Sequence, residues 1–234
     1  MHSDTPLTVA TPSPAEHRRL IRAALRGVDW RWVESLEDLR PGIVRDRVLA
    51  TLIARTAAAL STDAGGHMRR VGLIAHTIAK RLYWTDEEAD DLAVHGALHD
   101  VGKAGVRAAI LSKPGPLTLA EEAEVRRHPR FGHDLLSRSC TPLLRDAALV
   151  CLHHHERWDG RGYPAGLRAE QIDFRARVVA LADVYDALTS PRPYRPALPP
   201  SVARELMRTM RSTHFDPKLF DLFDSAWDQF AACA

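Results

Sequence analysis

The sequence predicts an all-α protein, and three observations carry that reading. Apolar residues recur at helical spacing along almost the whole chain. No run alternates β-branched and polar residues over the length of a strand. Clusters of glycine and proline at 113–116, 160–166 and 191–200 punctuate helical stretches rather than hairpins.

Residues 1–17 place Pro6, Pro12 and Pro14 among serines and threonines, with little apolar surface to offset the entropy of ordering them, and read as a disordered tail. From Arg18 the pattern turns helical, with Leu20, Ile21, Ala24, Leu25 and Val28, then, after Pro41-Gly42, Val44, Val48, Leu52 and Leu60. These predict two helices and a short N-terminal helical extension over 18–57. The 61–66 stretch breaks the pattern, so the main domain is expected over 58–234. Its first helix carries Val71, Ile74, Ala75, Ile78 and Leu82.

Later helices announce their starts. Thr85 with Glu88, and Thr118 with Glu121, have the capping-box spacing that satisfies two orphan backbone donors reciprocally. Leu143, Ala147 and Val150 predict a helix running up to His154, and Val178, Leu181, Ala182, Tyr185 and Leu188 one around Asp183. Asp216 followed by Pro217 fits an N-cap with proline at the first helical position. Phe220, Phe223, Trp227 and Phe230 then fall at helical spacing, as core or an oligomer face rather than a cofactor box.

The chain of 234 residues, 45% hydrophobic and 26% charged, has the composition of one globular domain, or of one domain with a short appendage. Thirty-two basic against thirty acidic side chains give a charge of +2, so no net field draws it to nucleic-acid polymer or an anionic membrane. Cys140, Cys151 and Cys233 are odd in number and lack CxxC spacing. That argues against a disulfide framework or a thiolate zinc site, and the three read as small buried hydrophobes. With no apolar run long enough to span a bilayer and no secretion signal in the first twenty residues, the expectation is a soluble, cytoplasmic chain.

Twelve histidines are the unusual feature. His99 and Asp100 close a helical stretch just before Gly102, where the chain can turn and present an imidazole beside a carboxylate, with Lys103 following. Neutral imidazole and carboxylate suit Fe, Mn or Zn, and a carboxylate can bridge two cations. His67, His128, His154, His155 and Asp183 are further candidate ligands at or near helix ends or within helices. Adjacent helical residues diverge by about 100°, so His153, His154 and His155 cannot all face one site. His95 forms an HxxxH pair with His99 but lacks the glutamate of a zinc protease, and reads as a core or supporting histidine. His76, His133 and His214 have no acidic or histidine partner in register.

Dense motifs then carry a resemblance. His99-Asp100-Val101-Gly102-Lys103, the segment from Ile110 to Thr118 that reads ILSKPGPLT, and His128-Pro129 with Gly132 follow one another at characteristic distances. His154-His155-Glu156-Arg157-Trp158-Asp159-Gly160-Arg161-Gly162-Tyr163-Pro164 comes next, and then Ala182-Asp183 through Asp186-Ala187-Leu188-Thr189-Ser190 with Arg192-Pro193-Tyr194-Arg195. From about residue 60 to the C-terminus this pattern resembles the HD-GYP phosphodiesterases of the HD superfamily, which hydrolyse cyclic di-GMP.

The resemblance implies an HD-superfamily helical bundle and a metal-dependent phosphodiesterase of bacterial second-messenger signalling. It implies that His67, His99, Asp100, His128, His154, His155 and Asp183 are metal ligands, with Asp100 bridging two divalent ions. Fe or Mn are expected, and Ni or Zn are compatible with the same donors. Members with a third metal use a glutamate where this chain has Asp63, one methylene shorter, so two ions are expected and a third is left open at Asp63. A hydroxide shared by the two ions would attack phosphorus, opening cyclic di-GMP to pGpG and on to GMP in a second step left open. Lys103 would offset charge on the phosphoryl oxygens. Arg192 and Arg195, just past the Asp183 helix, offer planar forks for the second phosphate, and by spacing alone read equally as solvated surface arginines. Tyr163 and Asp186 complete the expected substrate contacts. The loop carrying Tyr163 is also implicated by the resemblance in contacts with diguanylate cyclase domains, and a homodimer is left open. Two alternatives stand beside this reading. One is a low-activity module that binds a cyclic dinucleotide or docks a partner; the other is a hydrolase of another cyclic dinucleotide such as cyclic GMP-AMP.

Overall fold

The structure, a computed structural model, describes residues 66–191 and 196–230. The tail, the 18–57 extension, Asp63, Arg192, Arg195 and Cys233 lie outside the described residues. Among the described residues every regular element is helical, as the periodicity predicts, and Arg211 with Phe215 forms an isolated bridge rather than a strand.

Helix α1 spans Gly66–Arg81 and α2 spans Asp86–Leu98. A short 3-10 turn, Val101–Gly105, leads to the small helix α3, Ala108–Leu111, then α4, Leu119–Val125, and α5, His128–Leu136. Helix α6 is Pro142–His153 and α7 is Phe174–Thr189. Helices α8, Pro200–Thr209, α9, Pro217–Ser225, and α10, Trp227–Phe230, complete the described chain.

The helix starts are chemical. At α2, Thr85 Oγ1 accepts from the Glu88 amide at 3.3 Å while the Glu88 carboxylate accepts from the Thr85 amide at 2.9 Å. Thr118 and Glu121 repeat the exchange at α4. Asp216 Oδ1 caps α9 by accepting from the amides of Lys218 and Leu219.

Two apolar clusters hold these helices. One gathers Val71, Ile74 and Ile78 of α1, Val178, Leu181 and Tyr185 of α7, and Phe220, Phe223, Trp227 and Phe230 near the C-terminus. The four late aromatic residues are therefore core, with Phe223 stacked on Phe230 and both Phe223 and Trp227 edge-on to Tyr185. The second cluster joins Met68, Val94 and Leu98 to Leu136, Leu144, Ala147 and Cys151. Cys151 is buried as expected, but Cys140 is exposed in the loop before α6, where no helix covers it.

Helices α1 and α2 cross at Gly72 and Gly96. A Cβ on Gly72 would lie 2.6 Å from the Ala93 carbonyl, and one on Gly96 would lie 3.0 Å from the Gly72 Cα, so only glycine allows this approach. The crossing sets the start of α1 beside the end of α2, where His67 and His99 stand with ring centroids 5.3 Å apart.

Candidate metal centre

Four elements converge on Asp100. His99 is the C-cap of α2 and Asp100 precedes the 3-10 turn, so the helix end itself presents the pair. Gly102, in that turn, lies against the first turn of α5. A Cβ there would fall 1.9 Å from the His128 carbonyl oxygen and 2.4 Å from the Gly132 amide nitrogen. That contact locks the His99-Asp100 corner to His128. His154 caps the C-terminus of α6, and His155 lies beyond the helix end.

The distances define two clusters that meet at Asp100. Asp100 Oδ1 is 3.3 Å from His128 Nε2 and 3.8 Å from His154 Nε2, while Oδ2 is 3.3 Å from His99 Nε2 and 3.7 Å from His67 Nε2. Asp100, His128, His154 and His155 bring one donor atom each to a common point, and His67, His99 and Asp183 do the same beside it. Asp183 reaches from α7, its Oδ1 3.3 Å from His67 Nε2.

The outer nitrogens of these rings decide the tautomers. Carbonyl oxygens only accept, so His99 Nδ1–H donates to the Gly96 oxygen at 2.6 Å, His128 Nδ1–H to Val125 at 2.7 Å and His154 Nδ1–H to Cys151 at 2.8 Å. Each ring then turns Nε2 toward Asp100. The Nε2 atoms of His128 and His154 lie 3.2 Å apart, close enough for one cation to take both as ligands. His99 Nε2 and Asp100 Oδ1 are buried without a hydrogen-bond partner. Nitrogen and carboxylate oxygen donors with no thiolate suit a borderline or hard divalent cation, and these residues fit one.

The charges point the same way. Burial alone would raise the pKa of Asp100, but the Lys103 ammonium and the His99 imidazole outweigh it and hold the carboxyl well below the usual range. Burial likewise opposes ionisation of Asp183, and His99 and His67 overcome it. Burial and the neighbouring rings push His154 well down, and burial takes His155 down to about 4. The centre thus holds anionic carboxylates, with His154 and His155 biased toward the neutral form that a metal ligand needs, while the carboxylates beside His99 push that ring the other way.

The loop after α6 is stapled by Glu156. Its buried carboxylate accepts from the Ala165 amide at 2.7 Å and the Leu167 amide at 3.0 Å. The staple sets Tyr163 over His155, with ring centroids 4.7 Å apart and planes 22° from parallel, and the Arg126 guanidinium lies 5.0 Å from the tyrosine ring.

A profile of the HD domain family matches residues 47–219, which is well over half of the chain and takes in every residue of both clusters. The chain belongs to the HD domain family. It is 34% identical over 206 residues to the 3'3'-cGAMP-specific phosphodiesterase 2 of Vibrio cholerae, a match over 88% of this chain and 39% of that protein. It is 40% identical over 181 residues to a cyclic di-GMP phosphodiesterase response regulator of Xanthomonas campestris, over 76% of this chain and 48% of that one. The chain therefore spans between two fifths and half of the length of these curated relatives. Among solved structures, an HDG"Y"P protein from Bdellovibrio bacteriovorus matches with a TM-score of 0.57 at 15% identity, over 90% of this chain and 78% of that one, which supports the fold. The HD-GYP resemblance of the sequence agrees with these findings, and with the HD domain comes dependence on divalent metal.

Within this HD domain the structure brings together all seven histidine and aspartate positions that the motifs single out, and sets Lys103 beside them, its Nζ 2.5 Å from Asp100 Oδ2. His153 is the histidine of the run that turns away, accepting from the Asp173 amide at 3.4 Å. His95 is buried at 3% exposure with Nε2 against the Leu143 carbonyl, a core histidine. His76 does have an acidic neighbour, Asp90 at 3.4 Å, supplied by α2 and so invisible to spacing along α1.

One expected role is corrected. Asp186 is not placed to touch a substrate, because it is 1% exposed and both its oxygens are occupied. His67 Nδ1 and Arg70 donate to Oδ2, and Arg70 and Ser190 donate to Oδ1. Around the centre, Arg70 was not singled out by the sequence, and Ser190 and Glu156 stood in the motifs without an assigned role. The available signal was spacing: Asp186 follows Asp183 by one helical turn, as Arg70 follows His67.

Proposed function

We propose that this chain is a metal-dependent phosphodiesterase that hydrolyses cyclic di-GMP to pGpG, and that Asp100 bridges two divalent ions. The observation that carries the reading is the double reach of Asp100, one oxygen toward His128 and His154 and the other toward His99 and His67. In this reading His67, His99 and Asp183 hold one ion and His128, His154 and His155 the other, with iron or manganese the expected metals. Asp63 remains the candidate for a third.

Two such ions would acidify a shared water and clamp a phosphoryl oxygen for in-line displacement. Overall, water adds across one P–O3′ bond, and the proton ends on the departing 3′ oxygen. Lys103 places positive charge beside Asp100, where it would oppose the charge that builds on the phosphoryl group. Tyr163, fixed over His155, offers an aromatic face to a base and shields the ligand from water. Arg192 and Arg195 are proposed for the second phosphate on the motif alone. The exposed part of the loop, at Arg161, Ala165 and Gly166, is the surface this reading assigns to a diguanylate cyclase domain.

A second reading, hydrolysis of cyclic GMP-AMP, draws support from the Vibrio cholerae relative named for that substrate. Equimolar cyclic di-GMP and 3'3'-cyclic GMP-AMP, incubated with the Mn(II)-loaded chain and resolved by chromatography, separate the two. The proposal expects pGpG to accumulate first. Preferred loss of cyclic GMP-AMP moves the assignment to the second reading, and no cleavage of either by a chain with two bound ions moves it to a binding module.

A further inference from the structure

We infer that Asp186 is a positioning residue for His67, and that together with Arg70 it makes the two metal clusters unequal. The inference rests on the metal-centre reading above and goes beyond it by assigning a cluster-specific control of affinity.

His99, His128 and His154 each donate their outer N–H to a backbone carbonyl. His67 instead donates from Nδ1 to a carboxylate, Asp186 Oδ2, at 2.7 Å. A carbonyl fixes the ring, whereas a carboxylate fixes it and also draws on the N–H proton, making the opposite nitrogen a better electron donor. That opposite nitrogen, Nε2, faces Asp183 and Asp100.

The arrangement is two single-turn pairs interlocked. His67 and Arg70 share one face of α1, and Asp183 and Asp186 share one face of α7. Helix α7 therefore grips His67 from both sides, with Asp183 in front of the ring and Asp186 behind it. Arg70 closes the grip with a forked contact, Nε to Oδ1 at 2.5 Å and Nη2 to Oδ2 at 3.2 Å, and Ser190 adds a donor to Oδ1 at 3.0 Å. Held this way, Asp186 is a fixed anion on the His67 side of the centre, with no counterpart behind His99, His128 or His154.

The test is Mn(II) binding to the full chain by titration calorimetry with metal analysis of the dialysed protein. Wild type is expected to bind two ions. Asp186→Asn keeps the size of the side chain but removes its charge, and should keep one ion at wild-type affinity while weakening the other by about 10–100-fold. Ser190→Ala, which leaves the His67 contact in place, should keep both. Unchanged affinity for both ions in Asp186→Asn, or equal weakening of both, overturns the inference. If Asp186→Asn loses its cooperative melt, Arg70→Gln carries the same requirement, that a single ion weakens. A wild-type chain that binds fewer than two ions instead removes the metal-centre reading itself, and this inference with it.

Discussion

Lys103 Nζ donates to Asp100 Oδ2 at 2.5 Å, one turn along from the carboxylate on which both clusters converge. The ammonium thus sits on the oxygen that faces His99 and His67, where charge on a bound phosphoryl group would develop. Replacing Lys103 by Met removes the charge and its hydrogen bond to Asp100 while leaving every histidine and aspartate donor in the chain. The expected result is a fall in kcat of about 10²–10³, the typical cost of losing one charge-stabilising donor, with Mn(II) stoichiometry retained. Single-turnover rates and metal analysis on the same sample check it, and loss of metal in parallel with rate would mean that Lys103 acts through Asp100 instead.

Glu156 supports the loop and not the metal. Truncation to Ala takes from the Ala165 and Leu167 amides the carboxylate that holds them, a loss of about 0.5–1.5 kcal/mol for each hydrogen bond where water can take its place. Tyr163 loses its fixed place over His155, so KM for the dinucleotide should rise while bound metal is unchanged. Glu156→Gln keeps one accepting oxygen and should fall between the two.

Stability should decline in mild acid, and His95 supplies part of the effect. Burial, reinforced by the charge of Arg175, takes its pKa down from 6.5 to about 4. The unfolded chain therefore binds more protons than the folded one between those values. The contribution of this group is complete above pH 6.5 and is lost as pH falls toward 4, amounting to about 2 kcal/mol between pH 7.5 and pH 5. Denaturant melts of metal-free wild type and His95→Gln at both pH values measure the difference, and the pH dependence should be shallower by that amount in the variant. Equal slopes would contradict a neutral buried His95.

Gly102→Ala tests the corner. The added methyl would meet the His128 carbonyl and the Gly132 amide at distances no real Cβ tolerates, so α5 must move. Overpacking of this kind costs about 1–3 kcal/mol, and here it displaces a candidate ligand as well. Both the melting temperature and the affinity for Mn(II) should drop, whereas Gly105→Ala, whose nearest neighbours are atoms of the Phe131 ring, should spare the metal.

The helices were legible in the sequence because their starts are local chemistry. Thr85 with Glu88, Thr118 with Glu121 and Asp216 with Pro217 need only three or four residues to declare themselves, and all three cap helices where expected. The candidate ligands were legible because the motif around each is dense. Adjacent His154 and His155 can both face Asp100 because the helix ends between them, a departure from the 100° rule that periodicity does not reveal. The placement of Asp186 is not legible in the sequence because it depends on α1, more than a hundred residues earlier, meeting α7. Cys140 and Asp90 teach the same lesson: what a side chain touches across helices is set by packing that spacing does not encode.

The most direct test of the account compares wild type with Asp100→Ala, each purified anaerobically, its metal content determined, and incubated with cyclic di-GMP and Mn(II) or Fe(II). A carboxylate shared by two ions predicts two bound ions and release of pGpG from wild type, and loss of both ions and product in the variant. Full hydrolysis by the Asp100→Ala chain would contradict the shared centre.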